Sequence, residues 1–153
     1  MSYYSVKKVY EARNGDQINV NWDRVVWDRL RIPKHRFIAW LAVQAKLQTT
    51  EKPALYGELK DWLNIIIQTD DLQHLIAKIQ HSYRSKFRKQ VVFAGLITMI
   101  YFIWQNRNSA YWKHCVRSAR ADMKQLKHIV KSRILVVLPK KISRADYEWL
   151  MKL

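Results

Sequence analysis

The run Val91–Trp104, VVFAGLITMIYFIW, constrains this chain more than any other stretch. It holds no charge and no proline, and as a helix it is apolar on every side. Such a helix must be covered all round, by other helices or by lipid. As written it is too short to cross a bilayer, which takes about 20 apolar residues. It follows the basic stretch Tyr83–Lys89, so the sequence predicts one long helix over 82–106 as the core of the fold. Three Gly and three Pro in 153 residues leave too few turn formers for an all-β protein. The length suits one domain. The expectation is an all-α, single compact domain of about six or seven helices around this long central apolar helix.

The flanking segments supply the cover. Asn14-Gly15-Asp16 marks a turn after a short helix or strand around Tyr4–Ala12. Asn21 is a good cap for a helix carrying Trp22, Val25, Val26 and Arg29. Pro33 suits the first position of the next helix, expected over Pro33–Gln48. Its spacing places Phe37, Trp40, Leu41, Gln44 and Leu47 inward and His35 and Lys46 outward. A short segment from Pro53 ends at Gly57, and a turn or two over Glu58–Ile67 presents Trp62. Asp70 with Gln73 reads as a relaxed capping box for a helix with Leu72, Leu75, Ile76 and Ile79 inside. A loop at Leu138–Lys141 precedes a last helix over Ser143–Met151.

Charge directs attention to anionic partners. Lys and Arg number 28 against 12 Asp and Glu, a net charge of +16. Such an excess repels itself unless a partner compensates it. Nucleic acid leads, followed by an anionic membrane surface and an acidic protein. Over 112–136, Val116, Ala119, Met123, Leu126 and Val130 step by three and four residues as an apolar seam. Arg117, Arg120, Lys124, Lys127 and Lys131 repeat those steps one residue later as a basic stripe. Arg84, Lys86, Arg88 and Lys89 form a second cluster, and Lys140 and Lys141 with Arg144 a third. Tyr83, Phe87, Tyr111 and Trp112 lie close by in sequence and are of the type that stacks on bases. These groups point to RNA or DNA binding, dominated by the phosphate backbone and weakly selective for sequence. The competing reading is a protein–protein interaction or regulatory module, a homodimer included, that uses the 116–130 seam.

Catalysis and metal binding find little support. A single cysteine, Cys115, rules out an internal disulfide and most structural zinc sites. Thr69-Asp70-Asp71 is superficially like a magnesium-holding aspartate pair, but it precedes a helix, where capping explains it. His114 and Cys115, as neighbours on a helix, would point about 100° apart rather than face each other. No Gly-rich phosphate loop or Ser/His/Asp set is present. The chain therefore reads as non-enzymatic, with no cofactor and no metal. The stretch 1–16 lacks the apolar core of a signal peptide, and cysteine usage suits a reducing compartment. The expected location is nuclear or cytoplasmic, the nucleus slightly favoured.

Several motifs occur together in order: SVKKVY at 5–10, Trp22 with Val26-Trp27, IPKHRFIAWLA at 32–42, Leu47 and Thr49, and IYFIWQNRN at 100–108. In combination they resemble the reverse-transcriptase zinc-binding domain at the C-terminal end of plant LINE-type (non-LTR) retrotransposon polyproteins. Residues 1–50 resemble its N-terminal part and 59–112 the part after the zinc segment, while 113–153 add basic C-terminal helices. In that family the Leu-x-Thr turn leads into Cys-x-x-Cys, then a His and another Cys. Here Leu47-Gln48-Thr49 runs on to Pro53 and Trp62 without them. The resemblance thus implies a zinc-less derivative of a domain thought to help its polymerase engage nucleic acid.

Overall fold

The computed structural model describes residues 22–43, 53–66, 71–82 and 85–153. Among these the chain is all-α, with seven helices and no strand: α1 Asp23–Val26, α2 Pro33–Val43, α3 Pro53–Leu63, α4 Leu72–Ser82, α5 Lys86–Lys113, α6 Ala119–Val136 and α7 Arg144–Lys152. The segments around Tyr4–Ala12 and Gln44–Thr50 lie outside the described residues.

The central helix is where the apolar run placed it. Every residue from Val91 to Ile100 on α5 is buried. α1, α2, α3, α4 and α6 all pack against it, and α6 also packs on α3. By length and composition α5 would cross a membrane, but 72% of its most apolar window is buried inside the fold. A core helix covered by its neighbours meets the same criterion.

The bounds of α5 differ from the expected 82–106, for reasons of capping. Ser85 is the N-cap, its hydroxyl accepting from the Arg88 N–H. The helix runs on to Lys113, where His114 adopts a left-handed conformation (φ 50°) and its N–H bonds the Ser109 carbonyl. A second helix starts only after Ser118, whose hydroxyl accepts from the Ala121 N–H at 3.2 Å. The expected single helix over 112–136 is therefore two helix ends and a turn. His114 and Cys115 sit in that turn, with Cys115 exposed.

α2 is rotated from its expected orientation. Its buried residues are His35, Ile38, Ala39, Ala42 and Val43, while Phe37 is 54% exposed. The cause is a polar partner inside the core. His35 Nδ1 lies 3.2 Å from the Thr98 hydroxyl of α5, and its ring stacks on Tyr101 with centroids 4.1 Å apart. Small Ala39 and Ala42 let α2 approach α5, and Trp40 packs at the edge of the core.

α3 is likewise one helix rather than a segment ending at Gly57. Leu55, Leu59 and Leu63 form its fully buried stripe. It approaches α5 at Gly95, where an added Cβ would lie 2.8 Å from Leu63 Cδ1. Trp62 donates from Nε1 to the Leu153 carbonyl at 2.8 Å, joining α3 to the residue after α7. On α4, Leu75, Ile76 and Ile79 are buried as expected. The Asp71 carboxylate accepts from the Gln73 and His74 N–H groups, each at 3.2 Å, so capping does explain it; Asp70 lies outside the described residues. α7 is capped by Ser143 and docks on the start of α5 through Asp146 and buried Leu150.

Candidate nucleic-acid interface

The sequence gathers basic residues by type, and the fold sorts them by what they touch. On α6, Arg120, Lys124, Lys127 and Lys131 recur at helical spacing along one flank, beside the buried face. Arg120 and Lys124 are exposed, while Lys127 and Lys131 are half-buried. Lys127 rests its ammonium 5.7 Å from the Trp62 ring centroid of α3. Among the described residues none of these four cations pairs with a carboxylate. Lys140 and Lys141 follow in the exposed turn before α7, also without an acidic partner among the described residues.

Other basic residues assigned from sequence are committed to the fold. Arg117 stands before α6, not on it. Its Nε lies 3.2 Å from Oδ1 of Asp122, its Nη groups donate to Gln105 and Gln125, and its guanidinium covers the Phe102 ring. Arg88 Nε donates to Asp146 Oδ1 at 2.7 Å, and its guanidinium lies over Trp149. Lys89 Nζ donates to the Gln80 carbonyl at 2.6 Å, holding the end of α4 to α5. Lys86 is exposed, Arg144 pairs with Glu148 on the surface, and Arg84 with Tyr83 lies outside the described residues. Asp146 is 58 positions from Arg88 and meets it only when α7 folds back on α5, whereas Asp122 is five residues from Arg117 and claims it because the chain turns at Ser118 instead of continuing as one helix.

The apolar seam also needs correction. Met123, Leu126 and Val130 are buried with Ile134 against this chain's own core, and Ala119 packs at its edge. Val116 is 62% exposed in the turn before the helix and does not continue the seam. In this fold the seam offers no open face to a partner helix. The exposed aromatic pair is Tyr111 and Trp112 at the end of α5, edge to face at 4.8 Å. Phe87, by contrast, is buried.

A family model described as zinc-binding in reverse transcriptase matches residues 4–84, more than half of the chain. No curated protein and no solved structure matches it. The residues present do not fit a zinc ion. All five His and the one Cys fall among the described residues, and no group of three or more His, Cys, Asp or Glu converges there. His35 is turned to Thr98 inside the core, and Cys115 is alone in an exposed turn. A structural zinc site takes four converging ligands, commonly two or more of them thiolates. With the match over residues 4–84, the chain belongs to the family of zinc-binding domains in reverse transcriptases.

Proposed function

We propose that this protein is a non-enzymatic, zinc-less derivative of the C-terminal, zinc-binding domain of the reverse transcriptase of a plant LINE-type element, and that it binds RNA or DNA through α6. The observation that carries the reading is the sorting of cations. Arg117 and Arg88 are paired with Asp122 and Asp146, whereas Arg120, Lys124, Lys127 and Lys131 line one flank of α6 without a carboxylate partner among the described residues. A row of cations one helical turn apart suits successive phosphates and reads no base edges, so weak sequence selectivity follows. Lys140 and Lys141 extend the positive surface beyond the end of α6. Tyr111 and Trp112 supply exposed rings for stacking on single-stranded bases. A nuclear location fits such a partner.

The test is a titration of labelled single- and double-stranded oligonucleotides at several salt concentrations. Binding with a steep salt dependence that flattens when the four α6 cations become Gln supports the reading. No binding at low salt overturns it.

A further inference from the structure

A second basic site lies on the other flank of α6, at the turn between α1 and α2. Three arginines converge there from distant parts of the chain. Arg31 is in the turn itself and only 2% exposed. Arg36, from α2, donates Nη2 to the Arg31 carbonyl at 3.0 Å, and Arg133, from α6, donates Nη2 to the Arg29 carbonyl at 3.0 Å. The Nε atoms of all three are buried and have no hydrogen-bond acceptor among the described residues.

Among the described residues one carboxylate serves this cluster. Asp28 Oδ1 lies 2.6 Å from Arg31 Nη1 and accepts the Leu30 N–H, while Oδ2 accepts from Gln90 of α5. The Asp28 carboxylate is thereby occupied, and three guanidinium charges face one negative charge. Buried guanidinium N–H groups left without acceptors are costly, and an oxyanion supplies both the acceptors and the charge. Burial lowers Arg31 to about 10 despite Asp28, and Arg36 is lowered by burial and then by Arg133. The like charge of Arg36 acts against that of Arg31, and the like charge of Arg133 against that of Arg36.

We propose that Arg31, Arg36 and Arg133, gathered on the Asp28–Ile32 turn, form a binding site for a phosphate dianion, either free or as the terminal phosphate of a nucleotide or polynucleotide. The excess of two positive charges over Asp28 matches a phosphate monoester better than the single charge of a backbone diester. The planar guanidinium fork suits phosphate oxygens. Met123, Val130 and Ile134 of the buried face separate Arg133 from the Arg120–Lys131 stripe. The site therefore stands or falls separately from the stripe.

Titration of the full chain with inorganic phosphate, by calorimetry and by ³¹P NMR at ionic strength fixed with chloride, tests this. Wild type is expected to bind phosphate saturably at one site. Arg36→Gln/Arg133→Gln is expected to weaken binding at least tenfold, with Lys124→Gln/Lys127→Gln leaving it unchanged. If the double variant fails to fold, Arg133→Gln alone, which removes one exposed hydrogen bond, replaces it. Absence of saturable phosphate binding by wild type, or equal binding by the folded arginine variant, would overturn the proposal. A 5′-phosphorylated oligonucleotide and its 5′-hydroxyl counterpart distinguish the sources. A preference of tenfold or more for the phosphorylated form, lost in the arginine variant, assigns the site to polynucleotide ends. Equal affinity for the two beside saturable phosphate binding assigns it to the free anion.

Discussion

Arg117 Nε lies 3.2 Å from Oδ1 of Asp122, a carboxylate fully buried in the first turn of α6. Asn106 of α5 completes the junction: its amide donates to Asp122 Oδ2, and its carbonyl oxygen accepts the Arg117 N–H at 3.2 Å. The cation that begins the basic stripe in sequence is thus a fastener between two helices.

Asp122→Ala is expected to destabilise the fold by about 3 kcal/mol or more, because it leaves Arg117 and Asn106 without their shared partner. Chemical denaturation measures this. Under conditions where the variant is folded, its oligonucleotide salt slope should equal that of wild type.

Burial, with a smaller effect from Lys34, lowers the His35 imidazole from its ordinary value to about 4. The unfolded chain therefore takes up a proton near pH 6.5 that the folded chain refuses until about pH 4. This contribution to stability is complete above pH 6.5 and is lost as pH falls from there toward 4. Denaturation at a series of pH values should show the loss in wild type, and His35→Gln should remove that part of the slope. Parallel curves for the two proteins would contradict the assignment.

The two helical glycines should respond in opposite senses. A Cβ at Gly57 meets nothing within 4 Å, so Gly57→Ala is expected to stabilise by up to about 1 kcal/mol through backbone entropy. At Gly95 the nearest side chain is already 2.8 Å from an ideal Cβ, and Gly95→Val should cost about 1–3 kcal/mol through overpacking. Thermal melts of both variants check the pair.

Asp146 binds α7 to α5 by accepting from Ser85 and Arg88. Burial raises its carboxyl, but the hydrogen bonds from Ser85, Arg88 and Ser143 together hold it below its ordinary value. This contribution is present above pH 3.8 and fades as pH falls below it. Asp146→Ala should cost about 2 kcal/mol and speed amide exchange in α7 before the rest of the fold.

The helical class, the central helix and the start of the last helix at Ser143 were legible in the sequence because each depends on local pattern; the caps at Ser85 and Ser118 were not. Val91–Trp104 has no polar face, and Ser143 stands immediately before the last helix, whereas the continuous three-and-four spacing over 112–136 hid the break at Ser118. The inner face of α2 was not legible: His35 is inside only because Thr98, 63 positions away, receives it. The same limit applied to the basic groups. Nothing near Arg88 announces Asp146, and nothing near Arg31 announces Arg133. Leu126 shows the practical consequence. By its spacing it belongs to a seam that could meet a partner, but it is fully buried in this chain's own core, so Leu126→Glu should unfold the protein.

The most direct test of nucleic-acid binding through α6 is the slope of log affinity against log salt for one oligonucleotide. It should be measured for wild type and for Arg120→Gln/Lys124→Gln/Lys127→Gln/Lys131→Gln. Removing four phosphate contacts should reduce the slope by about 3. An unchanged slope in a folded variant, or no binding by wild type at low salt, would contradict the claim.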